Sequence, residues 1–228
     1  MTFAAELLPL ALLGALLGLD VVSFPQAMVS RPLVSATLAG ALVGQPGQGL
    51  IAGAVLELFA LDTLPFGASR YPEWGTAGVV GGALFALQHD DSAAALPAAV
   101  CAALLVAWGA GWTMVALRRL IGRWAHGMRD ALAQGSASAV TALQLRGLTA
   151  DFVRGGAVTW LSLAVFLPLE RALLSGATAG AAPSRVFLLA LAGATAGSAI
   201  WRVIHTTKGA RWFLAGGLAA GGGLVLAQ

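Results

Sequence analysis

The chain has one cysteine, three histidines and little charge of either sign, with Asp, Glu, Lys and Arg making up 10% of its 228 residues. Each shortage excludes a class of protein. Cys101 lies in the apolar run ALPAAVCAALLVAW, so it can build neither an intrachain disulfide framework nor a cysteine-rich metal site. His89, His126 and His205 are far apart, lack the paired spacing of metal ligands, and have no serine or cysteine nucleophile arranged beside them. No metal is expected. No Walker-type or dinucleotide-type glycine loop occurs, so neither ATP nor any other cofactor is expected.

What is present is apolar sequence. Hydrophobic residues make up 58% of the chain, and a soluble domain would carry about 25% charged residues. The expected fold is all-α: a polytopic integral membrane protein forming a single membrane domain over residues 1–228. Eight hydrophobic segments stand out: Phe3–Leu19, Pro32–Gly44, Gly49–Pro65, Trp74–Gln88, Ala93–Leu117, Gly155–Leu174, Val186–Ile204 and Trp212–Ala227. A helix needs about 20 apolar residues to cross a bilayer, so the short early segments read as re-entrant or broken helices. Phe3–Leu19 lacks the basic start of a signal peptide and is expected to be a retained span. The small-residue motifs Leu38–Ala41 and Leu191–Ala194 fit an inverted repeat, a common transporter device, although alanine and glycine are frequent throughout.

The formal charge of +3 would suit a nucleic-acid partner, but the arginines sit between apolar segments, where they set topology. No nucleic acid is expected. Residues 118–154 hold six arginines against Asp130 and Asp151, with Leu120, Ile121, Trp124, Met128 and Leu132 at helical spacing. By the positive-inside rule this basic amphipathic connector faces the cytoplasm. It is read as either a surface helix joining two halves or a partner dock.

Asp20 to Glu73 is the stretch where chemistry concentrates. Ionisable groups are costly at bilayer depth, which makes Asp20, Arg31, Glu57 and Glu73 functional candidates. Glu57 lies well inside GLIAGAVLELFAL, where its charge requires a cation, hydrogen-bond donors or a proton. A carboxylate accepting from two hydroxyls suits a sugar; an ion pair with Arg31 is the equally weighted alternative. Asp20 and Gln26 bracket a helix break at Ser23-Phe24-Pro25, since proline removes a backbone donor. Such breaks expose polar groups to a cavity, although an interfacial loop with a solvated Asp20 accounts for the same residues. A second irregular stretch, Pro65 to Trp74, offers Gly67, Ser69 and Glu73 to hydroxyls and aromatic rings to a sugar face, or an interfacial aromatic belt.

In order along the chain stand Asp20, Ser30-Arg31-Pro32-Leu33, Thr37-Leu38-Ala39-Gly40, Gly44-Gln45, Gly53 with Leu56-Glu57, and Gly67-Ala68 followed by Pro72-Glu73. This series resembles the IIC membrane component of the mannose/fructose/sorbose family of the bacterial phosphotransferase system. Gln45 stands where the family has a turn aspartate, and Glu73 where it has Asp or Asn. The resemblance implies a multi-pass subunit of the bacterial inner membrane that conducts a hexose-like sugar. It also implies a IID membrane partner, cytoplasmic IIA and IIB phosphocarriers, and a homo-oligomer of IIC–IID pairs. The phosphorylated histidines belong to IIA and IIB in that family, so no phosphoryl-carrying residue is expected in this chain. Asp20, Gln26, Arg31, Glu57, Gly67, Ser69 and Glu73 are the expected sugar contacts. The alternatives are a membrane scaffold or sensor that transports nothing, and a gradient-driven secondary transporter with Glu57 as its proton site.

Overall fold

The computed structural model describes residues 6–21, 23–61, 70–88, 95–178, 197, 201 and 207–226. All of the regular structure among them is helical: α1 (Leu8–Asp20), α2 (Pro32–Leu42), α3 (Pro46–Ala60), α4 (Trp74–Leu87), α5 (Ala95–Gly127), α6 (Arg129–Ala133), α7 (Ala137–Thr178) and α8 (Ala210–Leu226). The expected segments correspond to these helices except Val186–Ile204. That segment, and with it one half of the suggested repeat, lies outside the described residues apart from Gly197 and Trp201.

Proline and glycine punctuate the early helices. Pro32 and Pro46 each open a helix at its first turn, where a missing N–H costs nothing. Gly44, at φ +79°, ends the first of the pair in the left-handed conformation that glycine adopts without penalty. The resulting α2–α3 hairpin is tight: a Cβ on Gly40 would lie 2.8 Å from the Gly49 Cα. With 11 and 15 residues, α2 and α3 are roughly 16 and 22 Å long. Both fall short of a hydrocarbon core about 30 Å thick.

The centre of the bundle is α4, whose residues are buried almost without exception. It packs on α1, α2, α3, α5 and α7. Its GVVGGAL run allows that crowding: a Cβ on Gly82 would sit 2.6 Å from the Ala36 Cα, so α2 and α4 touch backbone to backbone. Pro32 and Ser35 lie against Gly78, and Ala36 lies against Gly82, so α2 runs alongside α4 in the same direction. Leu56, Val79, Val80, Leu84, Val100 and Leu163 fill the core around it.

Two helices, α5 and α7, contain segments long and apolar enough to cross a membrane. Both are much longer than a crossing requires, with 33 and 42 residues. The basic stretch 118–154 is helical as expected, but it is made from the end of α5, the short α6 and the start of α7. The last buried residue of α5 is Leu117, after which the helix continues for about 15 Å. Trp108 and Trp112, both more than half exposed, carry the Arg70 guanidinium over their rings at 4.9 and 4.1 Å. Arg118 onward lies past this exposed aromatic pair along α5.

Candidate functional site

Asp20, Arg31, Glu57 and Glu73 collect at one end of the bundle. There α1 ends, α2 begins, α3 returns and α4 starts. Three carboxylates organise this end, each in a different way.

Asp20 is buried, and both of its oxygens are used by the chain that follows it. Oδ1 accepts from the Ala27 N–H at 2.6 Å and Oδ2 from the Ser30 N–H at 2.9 Å. Beside these contacts Gln26 and Met28 hold φ of 59° and 61°, a conformation that costs a non-glycine residue on the order of 1 kcal/mol or more. Asp20 therefore positions the irregular segment 23–31 by fixing its backbone, and that segment presents the exposed Gln26 at its turn. The helix break expected at Ser23–Pro25 is present, and Asp20 is a buried anchor for it instead of a solvated side chain.

Glu57 reaches from α3 to the start of α2. Its Oε1 accepts from Arg31 Nε at 2.6 Å and is ion-paired with Nη2, while Oε2 accepts from the Leu33 N–H at 3.1 Å. The ion pair named as the alternative in the sequence is thus formed. It has a second purpose: the first N–H groups of a helix have no partner within the helix, and a carboxylate there also complements the helix dipole. The pair keeps 26% and 20% of its side-chain surface exposed, on Arg31 and Glu57 respectively.

Glu73 is completely buried and caps α4. It accepts from the Gly75 and Thr76 N–H groups at 2.8 and 3.2 Å and from the Thr76 hydroxyl, while its own N–H donates to the Ala107 carbonyl at 2.9 Å. Arg154 Nη1 of α7 approaches it to 3.9 Å. Arg154 also donates to Asp151 at 2.9 Å and to the Thr113 hydroxyl at 3.2 Å; Asp151 in turn accepts from Ser23 at 2.5 Å. This buried network joins the segment after α1, the segment before α4, and helices α5 and α7. One donor, Arg154 Nη2, has no partner.

The structure therefore brings Asp20, Gln26, Arg31 and Glu57 to one corner and ties Glu73 to it through Arg154, Asp151 and Ser23. Gly67 and Ser69 lie outside the described residues. Thr113, Asp151 and Arg154 were not singled out from sequence, because the last two lie where the basic connector meets an apolar span. Glu170 was missed too. It is a buried carboxylate in VFLPLERALL whose Oε2 accepts from Gln88 at 3.2 Å and whose Oε1 has no partner. The rule that singled out Glu57 would have found it. Sixteen residues beyond Arg154 on α7, it lies about 24 Å away along the helix, toward the other end of the bundle.

Two cavities bear on where a polar solute could sit. The larger, about 970 Å³, lies between α1 and α7 and is lined by apolar side chains such as Leu8, Leu12, Phe152 and Trp160, which cannot satisfy hydroxyls. The second, about 580 Å³, lies between α5 and α7 beside the network and presents Thr113, Thr149, Arg146 and Arg154. Among the described residues no three His, Cys, Asp or Glu side chains are grouped to hold a metal ion.

Several steps of the motif series from Asp20 to Glu73 now have a structural meaning: Arg31-Pro32 starts α2, Gly44-Gln45 is the turn between α2 and α3, and Glu73 caps α4. Residues 4–179 match the model of the family described as the PTS system sorbose-specific IIC component. The chain belongs to that family. The family match runs well past Trp74, where the sequence motifs end.

Curated IIC proteins are similar over shorter stretches. The sorbose-specific EIIC component of Lacticaseibacillus casei is 33% identical over 79 residues, covering 33% of this chain and 28% of that protein. The mannose-specific EIIC component of Escherichia coli (strain K12) is 27% identical over 124 residues, or 54% of this chain and 45% of that protein. The chain thus spans less than half the length of these relatives. A solved structure described as "Structure of membrane protein" shares the fold, with a TM-score of 0.69 and 19% identity over 97% of this chain and 87% of that one. As an IIC-family protein, the chain is an integral membrane protein.

Proposed function

We propose that this chain is the sugar-conducting subunit of a mannose/fructose/sorbose-type phosphotransferase system. The observation that carries the reading is the family match over residues 4–179, which takes in every helix from α1 to α7. In this reading the chain is a multi-pass protein of the bacterial inner membrane. It binds a hexose-like sugar, works beside a IID-type subunit in an oligomer of such pairs, and delivers the sugar to cytoplasmic IIA and IIB phosphocarriers.

Glu57, Gln26 and Arg31 are the proposed sugar contacts. What supports them is their position: partly or fully exposed polar groups on irregular or helix-starting backbone, set among apolar helices. A sugar hydroxyl can add to a carboxylate that already has partners, because each oxygen accepts more than one bond. Asp20 supports the site by holding the 23–31 segment. Glu73 is proposed as a positioning residue, with Gly67 and Ser69 as contacts from the neighbouring loop.

The test is Glu57→Gln, assayed for sugar uptake in membranes that also carry the IID-type partner, with assembly followed by size-exclusion chromatography. Loss of uptake with intact assembly is expected. Normal uptake would overturn the assignment. A scaffold or sensor would show no uptake in the unaltered protein, and a gradient-driven carrier would take up sugar in vesicles without a phosphate donor.

A further inference from the structure

The two cavities described above meet at Val153, which lines both the apolar one between α1 and α7 and the smaller one between α5 and α7. The α7 residues of that shared lining follow one helix face: Arg146, Thr149, Val153, Gly156 and Trp160 stand at i, i+3, i+7, i+10 and i+14. The cavities are therefore two parts of one open groove along α7, walled first by α5 and then by α1.

The groove changes character along its length. Arg146 and Thr149, both exposed, lie at the α5 end, with the Thr113 hydroxyl and Arg154 beside them. Past Val153 the lining is Trp160 and Leu161 of α7 facing Leu8 and Leu12 of α1. Val153, Leu161, Leu8 and Leu12 are each more than half exposed, so this lane is open to the surroundings of the bundle. No Asp or Glu lines either cavity among the described residues. Of the two arginines that do, Arg154 is paired with Asp151, whereas Arg146 is in no ion pair among the described residues. Arg146 Nη1 lies 4.0 Å from Met128 Sδ, a weak acceptor that leaves the positive charge unbalanced.

We infer that this groove binds one anionic phospholipid, with its phosphate on Arg146 and Thr149 and an acyl chain along Val153, Trp160 and Leu161. Groove and lipid have the same order of groups, a charged end followed by an apolar lane, and basic pockets between membrane helices favour acidic headgroups. The length fits as well. Leu161 is 15 positions after Arg146, or about 22 Å along the helix. One leaflet, half the hydrocarbon core plus one headgroup layer, is about 20–22 Å thick. A helix of another subunit would fill the apolar lane but would leave Arg146 without an anion unless it carried an acid at that height. Free phosphate would pair with Arg146 and leave the lane empty. A phospholipid satisfies both in one molecule. The inference needs the membrane setting that the family supplies and is independent of the sugar reading.

The test uses the full chain, with any membrane subunit that copurifies with it, in mixed micelles containing phosphatidylglycerol with brominated acyl chains, which quench a tryptophan they touch. The difference between the unaltered protein and Trp160→Phe isolates the signal of Trp160. Saturable quenching of Trp160 is expected at about one-fifth of the lipid that brominated phosphatidylcholine requires. Arg146→Gln combined with Thr149→Val should remove that preference, and excess inorganic phosphate should not relieve the quenching. Native mass spectrometry of the same protein needs no tryptophan variant: phosphatidylglycerol should be carried by the unaltered protein and lost from the double variant. Equal quenching by the two lipids overturns the inference, because the groove then holds only the ordinary lipid coat. A preference retained by the double variant overturns it too, as does relief of quenching by inorganic phosphate. So does a Trp160 quenched by neither lipid, the mark of a subunit covering the groove.

Discussion

Glu57 and Glu73 do the same local job in two environments. Each carboxylate accepts N–H groups at the start of a helix, and each has an arginine nearby. Glu57 stands at the edge of the bundle with a fifth of its side chain exposed, whereas Glu73 is sealed inside it. A partly exposed ion pair is worth little to stability, typically 0–1 kcal/mol, so its members can exchange partners. A buried network is different: removing one member leaves other charges stranded, at a cost of about 3–5 kcal/mol. Glu73 and Arg154 therefore hold the frame, and Glu57 is free to act within it.

The sharpest way to break that contrast is Glu73→Ala. It removes the cap of the central helix and strands Arg154, so thermal unfolding in detergent should show a loss of about 3–5 kcal/mol or failure to fold. Glu73→Gln keeps an acceptor for the Gly75 N–H and should lose less. If Glu73→Ala were as stable as the unaltered chain, the frame would rest elsewhere.

Next in size is Gly82→Ala, which tests whether the frame also depends on backbone contact. A methyl group at 2.6 Å from the Ala36 Cα has nowhere to go, and forcing α2 from α4 should cost about 1–3 kcal/mol in the same assay. Because α2 carries Arg31 at its start, uptake should fall with it. An unshifted unfolding temperature would mean the two helices can separate at no cost.

Much of this frame was legible in the sequence. The short apolar segments Pro32–Gly44 and Gly49–Pro65 foretold α2 and α3, Ser23–Pro25 the break after α1, and Arg31 was named as the alternative partner of Glu57. The buried network was not legible, because its members are distant in the chain: Ser23 and Asp151 are 128 positions apart. Nor did hydropathy mark the ends of α5 and α7. Apolar windows stop where arginines begin, but LRRLIGRWAH is still good helix sequence, so α5 continues past them to Gly127.

Asp20→Asn should have a smaller effect, since it alters the segment and not the frame. An amide offers one acceptor where the carboxylate offers two, so either the Ala27 or the Ser30 N–H loses its partner, at about 1–3 kcal/mol locally. Amide hydrogen exchange at residues 26–30 should quicken while α4 stays protected. Unchanged exchange there would mean that Asp20 does not hold the loop.

The smallest change in stability should come from Glu57→Gln, and there the comparison with Glu73 is most informative. The amide can still accept from Arg31 or the Leu33 N–H, and the pair is partly exposed, so unfolding should shift by no more than about 1 kcal/mol. Sugar uptake should nevertheless be lost. That combination separates the two carboxylates: one loses function with little effect on folding, and the other loses folding first. Equal destabilisation by Glu57→Gln and Glu73→Gln would remove the distinction and make Glu57 another part of the frame.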